Sequence, residues 1–345
     1  MFEIQFFIGI LFFEIAIVAL LLVSLIFRKI WEFFDDRWEL RARQTLTRTL
    51  VECLVDNKTI HSCKRIHSFR SSSVLLQVLE DFDRKFSGNS WERVKYSIYS
   101  SCLSNRAKKY ARSCFWKKRN FSARCFALCP TERDRDIILR LMDDPNFLVS
   151  GSVAPAVVVL EEKEGVYKII HKMSQLKGYA YYYYRDILLQ GSQKVYHWIE
   201  EFAAQGQNTE FYIACLDVLE HVCFKLNKLN IKKDLQSKDD RVHLAALNLL
   251  IHNPQPYSLK AIAKQMNDED PHMRAEAVIG LEHFLTPRSL RRLRGALKDL
   301  DREVRISAAE VLKKSGRKGM RVLREQNLRS DSKAYEAAQF ALKFL

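Results

Sequence analysis

The chain has 345 residues, 48% of them hydrophobic, which is typical of a folded protein and excludes a disordered one. Only 11 glycines and 7 prolines occur, and both residue types break helices, so the composition predicts an all-α protein. The formal net charge of +15 suits an anionic partner such as nucleic acid, an anionic membrane surface or an acidic protein. The eight cysteines lack the dense spacing of a disulfide scaffold, which predicts reduced thiols.

The beginning of the chain contains a long apolar run. Residues 4–27 are almost uninterruptedly hydrophobic, and as a helix they would measure about 36 Å, enough to cross a bilayer. Glu3 stands where a signal peptide would be positive, and no small-residue cleavage site follows, which favours a retained transmembrane helix. Arg and Lys follow the run but do not precede it. The positive-inside rule therefore predicts a single-pass protein of the plasma or inner membrane with a cytoplasmic C-terminal domain.

Three side chains in or beside this segment are candidate contacts. Glu14 lies near its middle, where a carboxyl group is costly unless it is protonated or paired. It either meets a polar group on another transmembrane helix, which would make the partner an integral membrane protein, or is a tolerated protonated residue. Trp31 and Trp38 are predicted to lie at the membrane interface. The basic residues that follow also suit anionic lipid.

The last third of the chain repeats with a period of about 31 residues, and in each repeat an apolar anchor is followed four residues later by a small residue. The anchors are Val242, Met273, Val304 and Ala334 or Tyr335. The small residues are Ala246, Ala277, Ala308 and Ala338. Residues four apart share one face of a helix, so each alanine is predicted to let the helix of the next repeat approach closely.

The start of each repeated helix is also marked in the sequence. The predicted N-caps are Asp239, Asp270 and Asp301. Pro271 follows its aspartate at the first helical position, where a missing N–H costs nothing. Together these features resemble the HEAT repeat in its short bacterial form over residues 235–345; Arg274 and Arg305 occupy the family's arginine position, whereas His243 departs from it. The resemblance implies antiparallel helix pairs stacked in a right-handed superhelix.

The same interval extends the repeat towards the N-terminus with weaker patterns. The further positions that it reaches are Phe211, with Cys215 as the small residue and Leu219 as the core residue, then Ala180, Tyr184 and Leu188, and then a position close to Phe147, where a cap-and-proline start is predicted at Asp144–Pro145. A HEAT-type solenoid is therefore predicted over residues 141–345. Residues 28–140 are predicted to form a helical juxtamembrane or adaptor region, either with degenerate repeats or without them.

Two clusters are candidate binding surfaces. The first consists of four consecutive tyrosines, whose rings either lie in a binding surface or shield the junctions between repeats: Tyr181, Tyr182, Tyr183 and Tyr184. The second is a basic cluster that is predicted to bind a protein or an anionic surface. Its members are Arg288, Arg291, Arg292, Arg294, Lys298, Arg317, Lys318 and Arg321.

The sequence contains no Gly-rich phosphate loop, nucleophile elbow or metal-binding motif, so no catalytic residue, metal site or cofactor is predicted. Solenoids expose long surfaces to their partners. The leading prediction is a membrane-anchored HEAT-repeat scaffold, not an enzyme, that serves a membrane enzyme or transport complex such as a polysaccharide glycosyltransferase. The alternatives are a basic HEAT-like nucleic-acid-binding or DNA-repair protein and an enzyme of the bilin-lyase type, which also uses short HEAT repeats. The N-terminal anchor argues against both alternatives.

Overall fold

The computed structural model describes most of the chain. Its backbone is described for residues 2–55, 71–206, 208–326 and 328–344. Side chains are described for these residues except 2–16, 30–36 and 55. The described residues form helices, turns and loops without a strand, which confirms the all-α prediction. The chain divides into two compact units, Met1–Ile137 and Ile138–Leu345.

The first unit begins with one long helix, α1 (Phe2–Val55). The helices that follow are α2 (Ser72–Asp83), α3 (Asn89–Ile98), α4 (Ser104–Tyr110), α5 (Trp116–Leu128) and, at the boundary of the units, α6 (Arg135–Met142). A π-helical turn over Tyr99–Leu103 joins α3 to α4. The C-terminal part of α1 packs on α2 and α3, and its Leu46 and Leu50 are buried there.

The predicted membrane segment, 4–27, lies within α1. Glu14 and Trp31 fall outside the described side chains, and Trp38, further along the helix, is half exposed. Over the described stretch 17–27, nine large apolar side chains are exposed, with 44% to 71% of their surface accessible. Within the part of the chain that the structure describes, no helix is both long enough and apolar enough to cross a bilayer.

The cysteines differ from the sequence-based prediction at one position. Cys53 forms a disulfide, so the prediction of a reduced thiol is wrong for this residue. The free thiols among the described residues are Cys102, Cys114, Cys125, Cys129, Cys215 and Cys223. Burial raises the pKa of the Cys129 thiol to about 12, so this group stays protonated and unreactive at neutral pH.

The second unit is a stack of helix pairs. The first helices of the pairs are α7 (Phe147–Val159), α9 (Tyr179–Leu188), α11 (Thr209–Glu220), α13 (Asp240–His252), α15 (Pro271–Gly280), α17 (Arg302–Lys314) and the terminal α19 (Ser332–Phe344). The second helices are α8 (Lys163–Ser174), α10 (Gln193–Ala204), α12 (Ile231–Asp234), α14 (Ser258–Gln265), α16 (Pro287–Ala296) and α18 (Gly316–Arg324). Each first helix packs on the first helix of the next pair, which is the arrangement of a helical solenoid.

The predicted N-caps explain where the C-terminal first helices begin. The carboxylates of Asp239, Asp270 and Asp301 each accept a hydrogen bond from the backbone N–H two residues later, at 3.0, 3.0 and 2.8 Å. This confirms the three caps. The cap predicted at Asp144 is wrong, because Asn146 caps α7 and Asp144 accepts a hydrogen bond from the Asn146 backbone N–H.

The solenoid core follows the predicted period. The four predicted small residues, Ala246, Ala277, Ala308 and Ala338, are fully buried. Of the anchors, Met273, Val304 and Ala334 are buried, but Val242 is half exposed. The prediction is wrong at Val242 because the adjacent His243 turns inwards instead, with its Nε2 3.9 Å from a carboxylate oxygen of Asp268.

Candidate functional site

The predicted tyrosine cluster lies on α9, and its four side chains have different surroundings. Tyr184 is fully buried, and its hydroxyl lies 2.9 Å from the Ser150 hydroxyl of α7. The Tyr183 hydroxyl donates a hydrogen bond to the Gly151 carbonyl, also on α7. Burial raises the pKa of both phenols, so both stay protonated at neutral pH. These two tyrosines hold neighbouring first helices together, and Tyr184 cannot contact a partner.

The other two tyrosines of the cluster face α11 and solvent. The Tyr181 hydroxyl donates a hydrogen bond of 2.8 Å to Asp217 of α11, whose carboxylate also lies 3.6 Å from the Arg185 guanidinium. Tyr182 is half exposed, and the Arg185 guanidinium lies 4.8 Å from the centre of its ring. Of the four predicted binding tyrosines, Tyr182 therefore presents its ring to solvent.

A group with the chemistry of metal ligands lies beside Tyr181. One ligand atom from each of Asp217, Glu220 and His221 lies within 4.8 Å of the others. Both carboxylates already have partners, however, because Asp217 accepts the Tyr181 hydrogen bond and Glu220 lies 3.0 Å from His252 Nδ1. Burial raises the pKa of Glu220, although His252 and His221 oppose this effect. The contacts of these residues are those of a polar junction between repeats.

The predicted basic cluster is distributed over two second helices. Arg288, Arg291, Arg292 and Arg294 belong to α16, Lys298 follows it, and Arg317, Lys318 and Arg321 belong to α18. All eight side chains are exposed. Arg294 and Arg321 share Glu325, at 3.1 and 3.0 Å. Within the described residues, the other six form no ion pair.

A cleft of about 500 Å³ continues this basic surface towards α14 and α12. Its lining residues are Lys232, Leu235, Gln236, Tyr257, Lys260, Ala261, Ala263, Lys264, Gln265, Asn267 and Arg292. Leu235, Ala263 and Gln265 are buried, whereas the four cations are exposed at its rim. No Asp or Glu among the described residues lines the cleft. The cleft therefore combines an apolar floor with an uncompensated positive rim.

Two contacts fix the shape of the cleft. The Gln265 side-chain amide donates a hydrogen bond of 3.0 Å to the Leu235 carbonyl, which ties α14 to the end of α12. The Lys232 ammonium lies 4.9 Å from the centre of the Tyr257 ring. Burial, with a smaller contribution from Glu200, raises the pKa of Tyr257, so its hydroxyl remains a hydrogen-bond donor at neutral pH.

Sequence reasoning identified Arg292 but missed the other cations of the cleft. Lys260 and Lys264 stand four residues apart, the spacing that places two side chains on the same helix face. The same spacing relates Arg288 to Arg292. This pairing of cations on successive second helices is the signal in the sequence that could have indicated the cleft.

Comparison with known families agrees with the repeat over part of the chain. Residues 231–313 match the family described as HEAT repeats, a range that includes α12 to α16 and most of α17. No curated protein matches the chain. Among solved structures, Kap121p bound to Pho4p is 12% identical over 80% of this chain and 42% of its own, with a TM-score of 0.39. Human deoxyhypusine hydroxylase in complex with glycerol is 13% identical over 88% of this chain and 96% of its own, with a TM-score of 0.29.

This chain spans less than half the length of the Kap121p chain. At these identities and TM-scores, the two structures carry no conclusion about activity or partners. The family match over 231–313 includes the caps Asp239, Asp270 and Asp301 and the buried alanines of the repeat. Residues 231–313 of this helical-repeat chain therefore match HEAT repeats.

Proposed function

We propose that this protein is a membrane-tethered HEAT-repeat scaffold that holds a protein partner at the cytoplasmic face of a membrane. The observation that carries the tether is the exposure of the apolar side chains over residues 17–27. These residues make about three helical turns, so apolar side chains project in every direction around α1. A helix that is apolar on all sides belongs in a protein core or in lipid, and the large apolar side chains of this stretch are exposed, with 44% to 71% of their surface accessible.

The tether gives the scaffold a physical mechanism. Confinement at a membrane raises the effective concentration of a partner that is itself bound to the membrane. We propose an integral membrane enzyme or transport complex as that partner, with Glu14 contacting it inside the bilayer, because a carboxyl group at that depth is stabilised by a polar neighbour. HEAT repeats supply extended surfaces and do not themselves imply catalysis, which supports a scaffold rather than an enzyme.

A pair of matched substitutions on α1 tests the tether. Leu22→Arg places a charge in the apolar stretch, where arginine costs about 3 kcal/mol in a membrane span. Leu40→Arg introduces the same charge further along the same helix, at another exposed leucine. We expect Leu22→Arg to move the protein from the membrane pellet to the supernatant, and Leu40→Arg to leave it in the pellet. Equal distributions of the two variants would contradict a membrane span.

Affinity purification from membranes tests the partner. The full chain, a variant lacking residues 1–30 and Glu14→Leu are compared by mass spectrometry. We expect the full chain to retain an integral membrane protein that Glu14→Leu loses. If all three retain the same membrane protein, recognition lies in the repeats and Glu14 is not a contact. If none does, the proposed partner is wrong.

The orientation can be tested with thiols that the chain already has. Cys114 and Cys223 are exposed free thiols, so a membrane-impermeant maleimide should label them after cell lysis but not in intact cells. Labelling in intact cells would place the solenoid on the other side of the membrane.

A further inference from the structure

We propose that the cleft between α12, α14 and α16 binds an acidic peptide segment, rich in Asp and Glu, of the protein partner. This inference rests on the proposed function only in that the chain binds a protein; it does not depend on the tether. The cleft volume of about 500 Å³ is in the range of known ligand sites, and Arg292 connects it to the rest of the basic surface.

The cations of the cleft differ from several others in the solenoid. Those others are neutralised by carboxylates of neighbouring repeats, as in Lys314 with Glu282, Lys194 with Glu161 and Arg241 with Glu210. The cleft cations Lys260, Lys264 and Arg292 form no ion pair among the described residues. Like charges gathered around one cavity repel each other, and this repulsion is relieved when an anion binds.

The cations continue beyond the cleft in a regular pattern. Lys260 and Lys264 share one face of α14, and Arg288 and Arg292 share one face of α16. On α18, Arg317 and Lys318 add further unpaired cations. Successive repeats pack through their first helices at about 8–10 Å, so α14, α16 and α18 extend over roughly 20 Å, which an extended peptide of about six residues would span. A small anion would occupy the cleft without reaching α18, so the pattern favours an extended chain.

The uncharged groups of the cleft also fit a peptide. The Tyr257 hydroxyl and the side-chain amides of Gln236 and Asn267 can form hydrogen bonds with a peptide backbone. Single-stranded nucleic acid is held instead by aromatic rings on which successive bases stack. The aromatic ring that lines this cleft, Tyr257, has one face occupied by the Lys232 ammonium. The observations therefore favour an acidic peptide over a single-stranded nucleic acid.

Fluorescence anisotropy with the purified full chain in detergent tests the proposal. The probe is a labelled peptide of about eight alternating Asp and Glu residues, and the reference is the same peptide with Asn and Gln. We expect the acidic peptide to bind and the amide peptide not to bind, with affinity falling as salt is raised. The triple variant Lys260→Glu, Lys264→Glu, Arg292→Glu should weaken binding by about 10-fold or more, because each substitution also creates repulsion.

The matched control is Lys85→Glu, Lys109→Glu, Lys117→Glu, which makes the same change in net charge at three exposed lysines of the first unit. Equal loss of affinity in the two triple variants would overturn the proposal, since net charge alone would then explain binding. Tighter binding of a labelled single-stranded oligonucleotide than of the acidic peptide would also overturn it. Hydrogen exchange provides a readout that needs no variant: the peptide should protect residues 257–265.

This assay contains neither membrane nor cellular partner, so its failure is distinguishable from failure of the proposed function. If the chain does not bind the acidic peptide but still pellets with membranes and retains its membrane partner, it is a scaffold that uses another surface. If it binds the peptide but does not pellet with membranes, it is an acidic-peptide binder that is not tethered.

Discussion

The N-terminal and C-terminal repeats of the solenoid keep the same period but join their helices with different chemistry. In the tyrosine-rich repeats, α7 to α11, neighbouring first helices are linked by phenol hydroxyls: Tyr184 with Ser150, and Tyr181 with Asp217. Packed rings also join a second helix to a first helix of the next repeats, since the Tyr167 ring of α8 lies 5.4 Å from the Phe211 ring of α11. These junctions depend on large side chains that meet across the gap between helices.

In the regular repeats, α13 to α17, the first helices carry alanines at the contact, and α15 and α17 also carry an arginine near their start. The Arg274 guanidinium donates two hydrogen bonds of 2.9 Å to Asp299 of the next repeat, and it also donates to the Asp268 carbonyl of its own turn. Arg305 repeats the contacts with the turn at the Asp299 and Leu300 carbonyls. The comparison shows that the period fixes the stacking of helices, while the residues at each junction are free to differ.

If the tyrosines join the N-terminal repeats, truncating one of them will open that junction. Tyr184→Ala removes a fully buried ring and is expected to cost about 4 kcal/mol of local stability. Tyr184→Phe keeps the ring and loses the Ser150 hydrogen bond, at about 1 kcal/mol. The measurement is the free energy of opening from hydrogen exchange in α9. A repeat stabilises mainly its neighbours. An equal decrease in the opening free energy of α9 and of the distant α17 would therefore contradict junctions that act independently.

Glycines test how closely the two helices of a pair approach. A Cβ added at Gly319 in the regular repeats would lie 1.8 Å from the backbone oxygen of Leu312, and one at Gly165 in the tyrosine-rich repeats 2.4 Å from a Val157 methyl group. Since a side chain can move more easily than a backbone, Gly319→Ala is expected to cost about 3 kcal/mol and Gly165→Ala less.

The control is Gly295→Ala, where an added Cβ meets nothing within 4 Å on a helix of the same solenoid. This substitution should be neutral or stabilise the protein by up to about 1 kcal/mol. Urea titration of the three variants, followed by circular dichroism, gives the ranking. A larger loss for Gly165→Ala than for Gly319→Ala would show that the helix pairs of the two regions are packed differently.

The repeats were predictable where their determinants are local. Asp270 and Asp301 cap helices through their own neighbouring N–H groups, and Ala277 and Ala308 are small because one packed helix lies against them, so both features repeat in the sequence. Val242 misled the prediction because the side chain that enters the core, His243, is polar. Hydropathy alone does not reveal such an exchange.

The junctions and the cleft were less predictable. A run of four tyrosines points in every direction around a helix, so the sequence could not show that Tyr184 faces α7 or that Tyr181 faces Asp217. The cleft combines Lys232 with Arg292, side chains far apart in the chain that line one cavity formed by three second helices. Such contacts require the three-dimensional arrangement.

Arg274 of the regular repeats should contribute less to stability than the buried Tyr184 ring, because the contacts of the arginine lie nearer to solvent. Arg274→Ala leaves Asp299 without its two charge-assisted hydrogen bonds and is expected to cost about 2 kcal/mol. Burial raises the pKa of Asp299, but the hydrogen bonds from Arg274 and from the Asp301 backbone N–H outweigh burial and hold the pKa below its usual value.

The pH dependence of this contribution follows from the direction of the shift. A lowered pKa in the folded state means that the stabilisation is fully present above the unfolded-state pKa, about 3.9, and is lost as the pH falls below it through the folded-state pKa. Arg274→Ala should therefore flatten the fall in stability between neutral pH and about pH 3. Urea titrations at the two pH values measure it; an unchanged slope would mean that Asp299 owes its low pKa to other neighbours.

The helix caps should give the smallest effects, and they should be equal in the two regions. Asp301 caps α17 through the Glu303 N–H at 2.8 Å, and Asn208 caps α11 through the Phe211 N–H at 2.8 Å. Asp301→Ala and Asn208→Ala are each expected to cost about 1 kcal/mol, while Asp301→Asn should cost little because asparagine caps equally well. Hydrogen exchange of the first turns of α17 and α11 gives both values. A cap satisfies N–H groups of its own helix and does not depend on the neighbouring repeat. Similar losses of stability in the two variants would therefore show that the caps contribute equally in both regions, whatever residues form the junctions. A markedly larger loss of stability for Asp301→Ala would instead mean that this cap also supports the arginine contacts at Asp299 and Leu300, and the regular repeats would then be more cooperative than the tyrosine-rich ones.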